Sequence, residues 1–147
     1  MYRFRLERVL EYRQRREEWL KQEFHELQRA LREAEHRLHQ LKHEYQRLDH
    51  RLSGTEETGV LSEELQTLSR YRQHLEHLVA LQEAVVAERK AATMRKRADL
   101  LKAQQEKQIL EKVREKDWRR YQQQLARWEQ QFLDELAVMK GYDDEEK

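Results

Sequence analysis

The sequence predicts an all-α protein, an elongated antiparallel two-helix coiled coil whose second helix is longer than the first. Three observations lead to this fold class. The chain of 147 residues has no Pro and three Gly, and helix formers dominate it. Apolar residues recur at alternating spacings of three and four, the heptad pattern of a coiled coil. One loop-forming segment, residues 53–61, separates two long helical stretches.

The first helix is predicted over about residues 3–52, and its apolar residues form a continuous seam. Because a strict seven-residue repeat is slightly shorter than two helical turns, such a helix supercoils around a partner helix. Two polar residues, Arg13 and Glu17, occupy seam positions in the first turns, where we expect them to form an i,i+4 ion pair. The seam residues are Leu20, Phe24, Leu27, Leu31, Ala34, Leu38, Leu41, Tyr45, Leu48 and Leu52.

The second helix is predicted over about residues 62–140. Gly54 stands where a left-handed helix C-cap belongs, which favours a loop over residues 53–61. Ser62 is a suitable N-cap, and the acids Glu63 and Glu64 suit the first turn of a helix. Residues 141–147 form an acidic tail whose like charges predict disorder. Residues 1–147 are thus expected to form a single coiled-coil domain.

The two predicted helices differ in length. At 1.5 Å per residue the first spans roughly 75 Å and the second roughly 118 Å. If the hairpin closes at residues 53–61, the numbers of facing residues add to about 114, which places Glu17 near Arg97. The N-terminal end of the first helix then lies opposite Leu110, and roughly thirty residues of the second helix extend beyond it.

The overhanging part of the second helix carries an aromatic and aliphatic stripe at spacings of three and four. An exposed stripe with two Trp and one Phe is typical of an interaction site, so these residues are predicted to bind a partner. Two other arrangements explain the stripe as well: two overhangs pair in a self-associating scaffold, or the second helix bends and repacks on the first. The predicted partner-binding residues are Trp118, Tyr121, Leu125, Trp128, Phe132 and Leu136.

Other classes of function find little support in the sequence. His36, His39 and His43 share one helix face, but they lie at outward positions with no acid or Cys to complete a metal site, so we expect no metal and no cofactor. A coiled coil offers no concave pocket, and we expect no enzyme activity. Residues 89–120 carry twelve Lys and Arg against five acids, yet these surround the helix without a base-reading motif, so no nucleic-acid partner is expected.

Hydropathy predicts a soluble, intracellular protein. The first ten residues alternate with charges and contain no signal-peptide core. Charged residues make up 40% of the chain, and no apolar run approaches the roughly 20 residues of a membrane span.

The whole chain, and most clearly its two ends, resembles the FliJ family, a coiled-coil component of the bacterial flagellar protein-export apparatus. The similar segments are FRLERVLEYRQRREE near the start and KQILEKVREKDWRRYQQQLARWEQQFLDELAVMK near the end. The most specific part is Glu129 followed by Leu133, Asp134, Glu135, Leu136 and Ala137. Stalk proteins of virulence-type secretion systems have a similar pattern and are the alternative.

The resemblance implies a non-catalytic, cytoplasmic subunit that takes part in flagellum biogenesis, motility and chemotaxis. Members form a coiled coil like the shaft of rotary ATPases, bind and regulate the export ATPase ring, contact the membrane protein of the export gate, and are linked to export chaperones. Such a subunit is peripheral to the inner membrane at the flagellar base, through its partners. The acidic end Asp143, Asp144, Glu145 and Glu146 departs from the family pattern.

Overall fold

Two long helices make up almost all of the protein. The structure, a computed structural model, describes the backbone of residues 1–58 and 62–145, and the side chains of residues 1–54 and 62–143. Helix α1 spans Glu7–Thr58 and helix α2 spans Ser62–Glu145. In unit 2, defined below, Glu23 of α1 pairs with Lys96 of α2, and the later Tyr45 bonds to the earlier Glu76, so the helices are antiparallel. The predicted fold class, a two-helix hairpin with a longer second helix, is confirmed.

The helix boundaries differ from the predicted ones. Helix α1 begins four residues late and continues through Gly54 to Thr58, so the predicted loop at 53–58 is helical and its remainder, 59–61, lies outside the described residues. Ser53 lies within this helix, and its Oγ donates to the Asp49 carbonyl at 3.1 Å, one turn earlier, so its hydroxyl is satisfied without ending the helix. Helix α2 also continues into the predicted tail, since each added residue extends an existing helix by one hydrogen bond; residues 146 and 147 lie outside the described range.

The chain divides into two compact units, which are described separately. Unit 1 contains Met1–Glu17 and Lys102–Lys147, and unit 2 contains Glu18–Leu101. The single domain expected from the sequence stays a prediction.

The core of unit 2 is a cluster of four buried leucines, Leu41, Leu48 and Leu52 of α1 with Leu75 of α2. Half-buried side chains, among them Tyr45 and Val79, pack around it. Every seam residue of α1 is buried or half-buried in the structure. The buried ones are Leu20, Ala34, Leu41, Leu48 and Leu52, and the half-buried ones are Phe24, Leu27, Leu31, Leu38 and Tyr45. Removal of this apolar surface from water is the main force that holds the two helices of the unit together.

Further along unit 2, polar side chains of α2 bind the backbone of α1. Gln82 donates to the Ala34 carbonyl at 3.0 Å, and Arg89 donates to the Ala30 carbonyl at 2.9 Å. Thr93, which is buried, donates to the Arg89 carbonyl of its own helix at 2.8 Å, and its Oγ1 lies 3.4 Å from the Leu27 carbonyl. Carbonyl oxygens inside a helix keep a second lone pair, and the small alanines leave room to reach it. These polar contacts help to fix the register of the helices where the apolar side chains of α2 are mostly small, Ala and Val.

Unit 1 has a smaller core and a set of ion pairs. Leu10 is fully buried, and Phe4 and Ala103 are buried as well. Arg13 and Glu17 each pair with α2: Arg13 with Glu106, and Glu17 with Lys107 at 2.5 Å. The expected intrahelical pair between these two residues is therefore replaced by two pairs between helices.

The register of the hairpin also differs from the predicted one. Facing residues such as Tyr2 and Asp117 in unit 1, or Glu23 and Lys96 in unit 2, have numbers that add to 119, whereas the sequence predicts about 114. The placement of Glu17 beside Arg97 was wrong, because Glu17 pairs with Lys107. The cause is the longer α1: its end at Thr58 moves the closing point of the hairpin toward the C-terminus.

Two tyrosines of unit 2 predict a loss of stability at alkaline pH. The pKa of Tyr45 is raised above 10.0, mainly by its hydrogen bond to Glu76 (O···O 2.9 Å) and secondly by removal from solvent. A hydrogen bond to Glu44, again followed by removal from solvent, raises the pKa of Tyr71. The stabilisation is complete below the unfolded pKa of 10.0 and is lost as the pH rises through the higher folded values. We expect thermal melts at neutral and alkaline pH to show a smaller fall in melting temperature for a Tyr45→Phe, Tyr71→Phe double variant than for the wild type. Tyr12→Phe, at an exposed tyrosine of α1, is the control for losing a hydroxyl, and an alkaline loss as large as that of the wild type in the double variant would contradict the prediction.

Candidate partner-binding surface

The end of α2 exposes an apolar face in unit 1. Every described side chain from residue 122 to residue 143 is exposed, although eight of them are large and apolar. Five of these recur at spacings of three and four, which places them on one side of the helix. This C-terminal stripe consists of Leu125, Trp128, Phe132, Leu136 and Met139.

Two aromatic rings form the centre of the C-terminal stripe. Trp128 and Phe132 stack with their ring centroids 5.9 Å apart and their planes within 10°. The two side chains are 63% and 51% exposed, so the stack is accessible from solvent. Each ring restricts the rotamers of the other. Binding of a partner therefore costs less side-chain entropy here than it would at two independent aromatic residues.

Trp118 and Tyr121, the other two aromatic residues of the predicted site, have a different environment. The Tyr2 ring lies 4.9 Å from that of Trp118, edge to face, and 5.1 Å from that of Tyr121. The Tyr2 hydroxyl donates to Asp117 at 2.9 Å. Removal from solvent, with this hydrogen bond second, raises the pKa of Tyr2. Trp118 and Tyr121 thus pack against the N-terminal segment of unit 1 and do not belong to an unpaired overhang.

The remaining predicted residues, Leu125, Trp128, Phe132 and Leu136, lie together beyond the aromatic cluster of Tyr2. Tyr2 was not among the predicted site residues, because the predicted register placed the start of the first helix opposite Leu110. The heptad pattern gave no signal for it, because the strict alternation back through Leu10 and Leu6 places Arg3 at the next seam position. The partner-binding role of all six residues stays a prediction.

Charge is unevenly distributed along this part of α2. Between residues 118 and 128 the charged residues are Arg119, Arg120 and Arg127, with no acid. Between 129 and 143 acids prevail: Glu129, Asp134, Glu135 and Asp143 accompany one Lys. The C-terminal stripe therefore runs from a basic stretch into an acidic one, and a partner of opposite polarity would fit it best.

The histidines and the hydropathy of the helices bear on metal binding and on membrane insertion. His36, His39 and His43 are exposed, and no group of three or more His, Cys, Asp or Glu within residues 1–58 and 62–145 is arranged to hold a metal ion. Neither helix, over its described length, contains a stretch apolar enough to cross a membrane. The expected absence of metal and cofactor stays a prediction.

Two antiparallel helices joined by an apolar seam define a coiled-coil protein, and the C-terminal stripe gives it an accessible apolar face. Comparison with protein families narrows this class. A family model described as "Flagellar FliJ protein" matches residues 2–146, nearly the whole chain, so the chain belongs to the FliJ family. It is a coiled-coil protein related to flagellar protein export. Searches of curated proteins and of solved structures found no match.

Proposed function

We propose that this protein is a non-catalytic stalk subunit of the flagellar type III export apparatus, which binds and regulates the export ATPase ring. Membership of the FliJ family supports the flagellar context and favours it over the equivalent stalk of a virulence-type system. The single observation that supports the ATPase contact is the C-terminal stripe, where Trp128 and Phe132 stack and are exposed to solvent. Apolar faces of this kind are usually covered by a partner.

Charge supports an acidic partner surface for the first half of this segment. Arg119, Arg120 and Arg127 are all exposed and precede or flank the stacked aromatics, and Arg119 also pairs with Glu115 at 2.7 Å. Exposed rim charges accelerate encounter with a surface of opposite sign, and they contribute less than buried aromatics to the final affinity. In the proposed complex, the arginines orient the ATPase surface and the C-terminal stripe supplies most of the binding free energy.

The wider role extends the same proposal. The protein would connect the ATPase ring with the membrane protein of the export gate and with export chaperones, and would reach the inner membrane at the flagellar base through these partners. No cofactor takes part, because the proposed work is binding and positioning. Motility would depend on the protein through flagellum assembly.

A titration of the purified export ATPase with two neighbouring variants tests the ATPase contact. Phe132→Asp puts a charge at the centre of the C-terminal stripe and should abolish binding. Leu133→Asp is the matched control, since Leu133 is 57% exposed and Phe132 is 51% exposed, but Leu133 lies about 100° away around the helix. It should retain binding. Equal affinities of wild type and Phe132→Asp would show that the ATPase does not use the stripe.

A further inference from the structure

We propose that one side of unit 1 binds directly to a bilayer surface that carries anionic lipid headgroups. Exposed apolar side chains from both helices form the centre of this side, and exposed cations surround them. The apolar residues are Val9, Tyr12, Ile109 and Val113, which are between 41% and 61% exposed. The cations are Arg8, Arg16, Lys102 and Lys116. These eight residues form the basic-apolar face.

Helical spacing places the members of the face that belong to one helix on one side of that helix. On α1, Tyr12 lies three or four positions from each of the other three residues. On α2, the successive separations of the four residues are seven, four and three positions. Residues three, four or seven positions apart are neighbours on the surface of an α-helix. Each helix therefore contributes one continuous stripe.

An ion pair shows that the two stripes lie on the same side of the helix pair. Arg13 lies four positions after Val9 on α1. It pairs with Glu106, which lies three positions before Ile109 on α2. The stripes also lie at the same level, because the numbers of Tyr12 and Ile109 add to 121. Contacts between the helices of unit 1 join residues whose numbers add to between 119 and 124.

The positions of the acids leave the basic-apolar face positively charged. The two acids that border it are already bound, Glu106 to Arg13 and Asp117 to the Tyr2 hydroxyl. Four other acids lie at least about 100° around their helices from Tyr12 or Ile109. They are Glu7, Glu11, Glu111 and Glu115. Among the described residues, no acid lies within ion-pairing distance of the four cations of the face, which are therefore available to an anionic partner.

An anionic bilayer matches both parts of the face. Apolar side chains of an interfacial helix enter the boundary between headgroups and acyl chains, while Lys and Arg remain near the lipid phosphates. A Tyr ring favours the same boundary, since its body is apolar and its hydroxyl is polar. A nucleic acid would attract the cations, but its phosphate backbone offers no apolar layer to Val9, Ile109 and Val113. This direct contact goes beyond the membrane association through partners proposed above, and it uses no residue of the C-terminal stripe.

Flotation of the purified full chain with lipid vesicles tests the proposal. The chain should bind vesicles of phosphatidylcholine that contain phosphatidylglycerol, and it should not bind vesicles of phosphatidylcholine alone. An Arg16→Gln, Lys102→Gln double variant should bind the anionic vesicles roughly 25-fold more weakly, because each cation near an anionic surface contributes about fivefold. The matched control is Lys90→Gln, Arg97→Gln, which changes the net charge equally at exposed residues of unit 2. It should bind like the wild type.

Ile109→Asp tests the apolar centre of the face. Because Ile109 is exposed, this variant should keep its helical content by circular dichroism and should still lose most of its vesicle binding. A chain that does not bind the anionic vesicles, or binds both kinds of vesicle equally, would overturn the proposal. So would an equal loss in the Lys90→Gln, Arg97→Gln control, or an Ile109→Asp variant that binds like the wild type. The assay contains no ATPase, so its failure is distinguishable from failure of the ATPase contact.

Discussion

Leu41→Asp is expected to unfold the paired helices of unit 2. Leu41 is 3% exposed and belongs to the cluster with Leu48, Leu52 and Leu75. Leu75, its partner from α2, is 1% exposed. The substitution removes the packing of a leucine and places a carboxylate in an apolar layer, where it has no cation to pair with in the cluster. The two effects together cost at least about 3 kcal/mol, a large part of the total stability of a small domain. Thermal melts followed by circular dichroism should show a large fall in melting temperature.

Two neighbours of Leu41 provide matched controls. His39 and His43 flank it on the same helix, but both are exposed at outward positions. His39→Ala and His43→Ala should therefore leave the melting temperature nearly unchanged. A marked fall in either variant, or a fall on adding a chelator to the wild type, would mean that the histidines hold a metal ion and that the expectation of no metal is wrong.

The periodicity of the sequence was sufficient for the fold class and for the apolar face of α1. A seven-residue repeat is a local property that acts the same way in any helical context, so the burial of Leu41 and Leu48 follows from it directly. The register required knowledge of where the first helix ends. Gly54 was interpreted as a cap, but a glycine is also tolerated within a helix, and Ser53 satisfies its hydroxyl there through its bond to the Asp49 carbonyl. That difference of six residues moved every facing pair.

The same shift changed the candidate surface. The three-four spacing in the overhanging part of α2 predicted an exposed stripe, and Trp128 and Phe132 are exposed. Where the stripe begins depends on how far the N-terminal segment reaches, and the contact of Tyr2 with Trp118 depends on packing that no local pattern contains. The polar bonds of Gln82 and Arg89 to α1 carbonyls were equally invisible, because a backbone acceptor leaves no mark in the sequence.

Trp128→Ala is expected to weaken ATPase binding by roughly thirtyfold in Kd, since truncation of an aromatic anchor costs about 2 kcal/mol or more of binding free energy. Phe132→Ala should have a similar effect, because it removes the other ring of the stack. Both side chains are exposed, and each ring stacks on the other. Neither is therefore expected to stabilise the hairpin. Helical content and melting temperature should therefore stay close to those of the wild type.

Trp19→Ala is the matched control for this loss of affinity. Trp19 is 55% exposed on α1 in unit 2, against 63% for Trp128, so the two substitutions remove the same side chain from similarly exposed positions. Trp19→Ala should leave the affinity for the ATPase unchanged, as measured by titration calorimetry. If Trp19→Ala weakened binding as much as Trp128→Ala, the ATPase would contact unit 2. If Trp128→Ala kept its affinity but lost much of its melting temperature, the tryptophan would instead pack within the chain.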